Sequence, residues 1–278
     1  MLSTPEIVVS PRDFRRITEV MHAHCGINLH DGKEELVQAR LAKLLRSSND
    51  GSVSEYLDRV LEQRDSKDFA NLVDSLSTNL TSFFRESNHF TYMTEKFLPE
   101  LFARKRARND DRIRGWSSAC SSGEEPYTLA MVLLEAMEKS GAAMDAKLLA
   151  TDISHRVLKT AQEGVYDRRR VEPVPPALKA KYLLQRKDKQ SEVGPALRRT
   201  ITFAHLNLVK PWPFKGPFDF IFCRNVMIYF DKPTQQQLVN RFHEVLHPGG
   251  LLFTGHSESL TGISHPFRFV QATIYQKS

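Results

Sequence analysis

The chain has 278 residues, of which 41% are hydrophobic and 26% charged, with a formal net charge of +6. That length carries one large domain or two modest ones with a core of ordinary size, and the composition is that of a soluble globular protein. No run approaches the roughly 18 apolar residues that a membrane helix needs, and the start, MLSTPEIVVSPRDF, lacks the basic-then-apolar pattern of a secretory signal. A cytoplasmic protein without membrane insertion is expected. Three cysteines, Cys25, Cys120 and Cys223, without a CxxC pair exclude a disulfide framework and a zinc ribbon. His22, His24 and Cys25 lie close together, but no second ligand cluster accompanies them and no metal is expected.

Residues 11–75 read as helical throughout. Ser10-Pro11 makes a helix start, with Ser as cap and Pro in the first turn. Phe14, Ile17, Val20 and Met21 then follow the helical period. A second helix is predicted over about 33–46. Leu36, Val37, Leu41, Leu44 and Leu45 fall on one half of its wheel, and Arg40, Lys43 and Arg46 share an adjoining arc. A third covers about 54–62, capped by Ser52 or Ser54, and a fourth about 67–76. Residues 1–77 are therefore expected to form a small all-α domain, followed by a linking segment over 78–111.

From about Arg112 the pattern changes. IRGWSSA reads as a strand, 125–138 as a helix, AKLLATDIS as a strand ending in an acid, and 155–163 as a helix. FDFIFCRNVMIYF contains a strand, 235–246 a helix, GLLFTGHS a strand, and FRFVQATIYQKS a last pair of strands. Strands alternating with helices predict an α/β fold over 112–278, with a mostly parallel, Rossmann-like sheet covered on both faces. The stretch from Pro173 to about Asn207 breaks the alternation and is expected to be a small antiparallel insertion, about 175–206. Residues 168–199 hold ten Lys or Arg against three Asp or Glu, so the net charge is concentrated there. Such a stretch is either a surface for an acidic partner or a solvated excursion.

In doubly wound sheets, ligands sit outside the C-terminal ends of the strands. SSACSSGEEP is a strand-to-helix turn of small residues that lets a ligand approach the backbone. Glu124 and Glu125 follow at the helix start. Two carboxylates at that mouth argue against a pyrophosphate and for a cationic group, such as the ammonium and sulfonium of S-adenosylmethionine. Asp152 ends the second strand, where an acid receives ribose hydroxyls. Asn225 and Tyr229 in CRNVMIYF add an amide and a phenol. The G-x-G-x-x-G of nicotinamide binding is absent.

Four runs, NLTSFFRE from Asn79 to Glu86, WSSACSSGEEPY from Trp116 to Tyr127, CRNVMIYFD from Cys223 to Asp231 and GHSES from Gly255 to Ser259, together closely resemble the CheR-type chemotaxis receptor methyltransferases. The likeness covers nearly the whole chain. It implies a class I methyltransferase domain, preceded by an all-α substrate-docking domain. The implied reaction moves a methyl group from S-adenosylmethionine to glutamate carboxylates on the helical cytoplasmic bundle of chemoreceptors, leaving S-adenosylhomocysteine.

The resemblance also implies site roles. The NLTSFFRE segment covers the cofactor, with Asn79, Thr81 and Arg85 lining the site and Arg85 near the transferable methyl. Glu124 holds the methionine ammonium and Asp152 the ribose. Asn207, Leu208, Asn225 and Val226 border the adenosine and the methyl side, and Tyr229 lies near the reaction centre. Arg40, Lys43 and Arg46 would meet a glutamate-rich receptor helix. Cys120 stands where relatives often carry Ala or another small residue. In some relatives the insertion binds a pentapeptide tether at the receptor C-terminus. The span 182–207 is a few residues shorter here, which weighs against tether dependence.

A monomer is expected, with no nucleic acid as partner. The alternatives are a nucleic-acid methyltransferase, encouraged by the basic balance, and a non-catalytic signalling protein that binds S-adenosylmethionine. Against the first, Asn225-Val226-Met227-Ile228 replaces the Asn/Asp-Pro-Pro-aromatic motif of amino-group methyltransferases. Against the second stand Arg85 and Tyr229.

Overall fold

The computed structural model describes residues 8–29 and 32–278. The chain forms two compact units. One runs to Thr78 and includes Tyr229–Thr234, and the other comprises Asn79–Ile228 with Gln235–Ser278.

The first unit contains four helices, α1 Pro11–Cys25, α2 Glu34–Leu45, α3 Val53–Glu62 and α4 Lys67–Leu76. Three starts are fixed by serine caps. The side-chain oxygens of Ser10, Ser52 and Ser66 accept the N–H groups of Asp13, Glu55 and Phe69, satisfying donors that a helix start leaves open. Ser54 instead donates to buried Asp13 at 2.8 Å, so Ser52 is the cap of α3. Ile17, Met21, Val37, Leu41, Leu57, Val60 and Leu72 are buried and supply the core. Tyr229–Thr234 joins this unit through the Tyr229 carbonyl, which accepts Asn28 N–H at 2.8 Å, and through Asp231, 2.8 Å from His22 Nε2. His24 packs edge-on against Phe69 and Cys25 is buried, so the HAHC run diverges to three different environments.

The second unit opens with α5 Asn88–Tyr92, a π-helical turn at Met93–Phe97 and α6 Leu98–Ala107. Next come β1 Arg112–Ser117, α7 Glu124–Ser140, β2 Asp145–Asp152 and α8 His155–Glu163. A middle section holds β3 Val165–Asp167, α9 Pro176–Tyr182, β4 Leu183–Gln185, β5 Gln190–Val193 and α10 Pro195–Thr200. The chain ends with β6 Ile201–His205, β7 Phe218–Cys223, α11 Lys232–Val245, β8 Leu246–Thr254, β9 Arg268–Gln271 and β10 Ile274–Gln276.

Seven strands form one sheet in the order β6-β2-β1-β7-β8-β10-β9. The first five run parallel, while β10 runs antiparallel to β8 and β9. The chain moves outward from β1 through β2 to β6, then returns to the other side of β1 with β7. The order therefore reverses between β1 and β7, and the crevice at their C-terminal ends is where such a sheet binds ligands. Strand β7, FDFIFC, is buried at every position, as a central strand covered on both faces must be.

The insertion differs from expectation in its make-up. Its antiparallel sheet has the order β3-β5-β4 and recruits Val165–Asp167 from before the predicted span, while two short helices, α9 and α10, flank β4 and β5. Ile201–His205 leaves the insertion and extends the large sheet beside β2, pairing Leu148 with Ile201 through Asp152 with His205. ITFAH has the alternation of an edge strand, which does not specify which sheet it joins.

Gly115 sits in a tightly packed part of the sheet. A Cβ there would lie 2.3 Å from the Phe220 ring and 2.7 Å from Leu148 Cδ2. Gly115→Ala should lower stability by about 1–3 kcal/mol through overpacking. Urea denaturation checks this, with a reduced midpoint and unchanged slope expected.

Candidate cofactor site

The turn between β1 and α7 is stitched to both neighbouring strands. Ser118 N–H donates to Phe222 O at 2.9 Å, and Cys120 N–H to Thr151 O at 2.8 Å. Ser121 is left-handed, with φ 47°. Gly123 has φ 99°, and a Cβ there would meet Tyr166 Oη at 2.7 Å. Cys120 is fully buried, and burial, helped by the nearby Asp152 and Glu125 charges, pushes its thiol well above the ordinary value. It is a packing residue.

Ser121 connects two sequence-predicted positions. Its N–H donates to Asp152 Oδ2 at 2.8 Å, and its hydroxyl donates to the Asn79 carbonyl at 2.9 Å. Asp152 Oδ1 accepts Ser154 N–H at 3.0 Å, so the carboxylate is oriented from both sides. Leu206 N–H donates to Asp152 O at 3.0 Å, which brings HLNL beside the same strand end. Beyond it, Asn207 Oδ1 accepts Val209 N–H. The carbonyl of buried Leu208 is held by Trp212 Nε1 and Arg241 Nη1.

Glu124, only 1% exposed, accepts the Ser122 hydroxyl at 2.9 Å and is ion-paired with Arg170. Glu125 does not share this role. Its carboxylate accepts Ser117 Oγ at 2.7 Å and pairs with Arg224 at 3.2 Å. Burial raises its pKa against the opposing pull of Arg224. Of the two adjacent acids expected at the mouth, one is thus committed inward, because successive helical residues point about 100° apart.

The second half of the site is built around Arg224, at the end of β7 and 6% exposed. Its guanidinium pairs with Glu86 at 3.1 Å and with Glu125, donates to the Arg85 carbonyl, and lies over the rings of Phe90 and Phe222. Asn225, left-handed with φ 57°, donates its amide to Glu86 Oε1 at 3.3 Å. Glu258, from the GHSES run, accepts the N–H groups of Asn225, Gly255 and Ile228 at 2.6, 2.7 and 3.1 Å. It braces the loop on which Asn225 and half-buried Val226 sit. Burial raises its pKa against those donors. Arg85 Nη1 donates to Leu80 O at 2.8 Å. Thr81 lies half-buried in the same segment.

Glu86, His89 and His256 bring ligand-type atoms within 4.8 Å of one another, among the described residues. Those donors already hold the segment in place. Glu86 is paired with Arg224, and His256 Nε2 lies 2.9 Å from Asn88 Oδ1. Fully buried His89 has Nε2 on Thr273 Oγ1 at 2.7 Å. Burial, then the Arg224 charge, lowers its pKa to about 3.

The structure brings Asn79, Glu124 and Asp152 together around one turn, and Arg85 and Asn225 beside Arg224 and Glu86. The sequence assigns no role to Glu86, Arg170, Arg224 or Glu258. Tyr229 lies in the other unit, as do Arg40, Lys43 and Arg46. Lys43 and Arg46 are exposed, whereas Arg40 is half-buried and donates to Ser77 O at 3.1 Å and Thr78 Oγ1 at 3.4 Å. The end of α4 thus holds one member of the basic arc. The basic 168–199 stretch contributes Arg168, Arg169, Lys179, Arg186 and Lys189 to one surface cavity on the small sheet.

The residues fit a nucleoside bearing a cationic amino-acid end. Asn79 Nδ2 is buried and has no hydrogen-bond partner among the described residues. Glu124 offers a buried anion, Asp152 an oriented one, and the turn between them is narrow.

Comparison with known proteins decides the family. Residues 12–77 match the CheR methyltransferase all-alpha domain, and residues 79–276 match the CheR methyltransferase SAM binding domain. The chain belongs to the CheR methyltransferase family. It is 39% identical over 273 residues to a chemotaxis protein methyltransferase of Borreliella burgdorferi, covering 98% of this chain and 96% of that one. It is 36% identical over 279 residues to the chemotaxis protein methyltransferase of Escherichia coli K12, covering 99% and 94%. It is 39% identical over 267 residues to chemotaxis protein methyltransferase 2 of Pseudomonas aeruginosa, covering 95% and 92%. It is an S-adenosylmethionine-dependent methyltransferase of chemotaxis. Among the described residues, no helix is long and apolar enough to cross a membrane.

Asp152→Ala should weaken S-adenosylhomocysteine binding about ten- to a hundredfold, the worth of charge-assisted hydrogen bonds. Calorimetric titration reads the loss, and unchanged affinity would remove Asp152 from the site.

His89 gives a pH prediction. Its folded pKa, about 3, lies below the ordinary 6.5, so as pH falls the unfolded chain binds the proton first. The stability is present above about 6.5 and is lost as pH falls towards 3. Between pH 7 and 5 the loss is about 2 kcal/mol. Urea denaturation at both pH values should show it in the wild type and a smaller loss in His89→Gln.

Proposed function

We propose that this chain methylates side-chain carboxylates of glutamates on the helical cytoplasmic bundle of chemoreceptors, forming methyl esters and S-adenosylhomocysteine in sensory adaptation. The observation that carries the reading is that the carboxylates and the buried histidine beside the site are each committed to partners, which leaves none of them as a general base. Glu124 and Glu86 are paired with arginines, Glu125 is buried against Arg224, Glu258 is surrounded by backbone N–H groups, and His89 is held neutral. An amine would need to lose a proton before attack, whereas a glutamate nucleophile, with a reference pKa of about 4.3, is already ionised at neutral pH.

The cofactor supplies an electrophilic methyl group on a good leaving group. The chain's own task is alignment. Asp152 holds the ribose and Glu124 the ammonium, while Asn79 and Thr81 close the covering segment over them. Arg85 orients the incoming carboxylate by a loose contact, since a tight bidentate pair would blunt the nucleophile. Tyr229 has a positioning role. Catalysis is by proximity and orientation. Lys43 and Arg46, exposed on α2, meet the acidic receptor helix, with Arg40 bracing their base. The enzyme works as a cytoplasmic monomer, without metal and without a receptor C-terminal tether.

Incubation with methyl-labelled cofactor and a receptor fragment should give label on the receptor that is released by mild base. A base-stable label, or label on nucleic acid instead, would contradict the reading. Arg85→Ala should lower the transfer rate by at least tenfold more than it lowers S-adenosylhomocysteine affinity. Equal losses would make Arg85 a binding residue only.

A further inference from the structure

Arg170 lies in the turn that follows β3, in the basic stretch whose purpose the family match leaves open. One of its guanidinium nitrogens, Nη2, makes both observed contacts, with Glu124 Oε1 and with Ser122 Oγ at 2.6 Å. The guanidinium lies over the Tyr166 ring, 5.2 Å from its centroid, and Tyr166 is itself fixed by donating to Ser122 O at 2.6 Å. The rest of the fork makes no further hydrogen bond among the described residues, and the side chain is 37% exposed. A planar fork held at one corner and stacked on a buried ring is prepared for a second carboxylate.

We propose that Arg170 binds the α-carboxylate of the methionine end of the cofactor, making Glu124 and Arg170 a matched pair for a zwitterion. The proposal rests on the reading that Glu124 takes the ammonium. An α-amino acid carries its ammonium and carboxylate on one carbon, so whatever brings the ammonium to Glu124 brings a negative charge beside a buried negative charge. Without a cation at that point the carboxylate would be repelled. Arg170 supplies the cation on the oxygen that Ser122 does not occupy. The same contact neutralises Glu124, whose isolation at 1% exposure would be costly. The pair thereby selects for a cofactor with an intact amino-acid end and against nucleosides that bear only an amine.

Calorimetric titration of Arg170→Ala and Arg170→Lys with S-adenosylhomocysteine and with its decarboxylated analogue tests this. Arg170→Ala should bind S-adenosylhomocysteine about ten- to a hundredfold more weakly than wild type. It should bind the analogue no more weakly than wild type does, because the lost contact has no partner there. Arg170→Lys should recover part of the loss. Tighter binding of S-adenosylhomocysteine by Arg170→Ala would overturn the proposal, since it would make the arginine a competitor for the ammonium position. Equal losses for both ligands would overturn it too, by making Arg170 a purely structural support of the turn. Glu124→Gln, titrated alongside, separates the two ideas. Unchanged affinity in that variant would sink the ammonium reading itself, whatever Arg170 does.

Discussion

The buried guanidinium of Arg224 is the constraint on which the catalytic unit depends. A charge with a side chain 2% exposed persists only when it is paired. Here the partners are Glu86 from the covering segment, Glu125 from the first turn of α7 and the carbonyl of Arg85. Two pieces of chain far apart in sequence are thereby held to the end of one central strand. Removing Arg224 would leave both carboxylates without their cation in a region lined by Phe90 and Phe222.

The cofactor side follows from the same anchoring. Because Glu125 is turned inward to Arg224, Glu124 is turned the other way, towards Arg170 and Ser122. The Ser121 turn then links Asp152 to Asn79, the first residue of the segment whose last residue, Glu86, is held by Arg224. The segment is fastened at both ends, with Thr81 and Arg85 between. Glu258 performs a similar service on the opposite loop, where its carboxylate collects the backbone N–H groups that a left-handed Asn225 exposes.

Much of this was legible in the sequence, where the signal was local. The serine caps, the alternation of strands and helices, the narrow turn after β1 and the acid ending β2 are each written within a few residues. What was not legible depends on pairing across distance. Arg170 lies 46 residues from Glu124, and Arg224 lies 138 from Glu86. Nothing in RRR or CRNV announces which carboxylate each arginine will find. Glu124 and Glu125 read alike in sequence and differ only because a helix rotates between them. Arg40 shares a wheel arc with Lys43 and Arg46, yet its guanidinium turns to the end of α4. ITFAH reads as a strand, but its choice of the large sheet over the small one is decided by β2.

The central claim is that the Arg224 network holds residues 79–86 in the conformation that binds cofactor. Hydrogen exchange of the peptides spanning 79–88, measured in Arg224→Met combined with Glu125→Gln so that no buried charge is stranded at α7, tests it most directly. The account predicts faster exchange across 79–88 together with weakened S-adenosylhomocysteine binding, while peptides from α1 to α4 exchange as in the wild type. Wild-type exchange across 79–88 with undiminished affinity would contradict it.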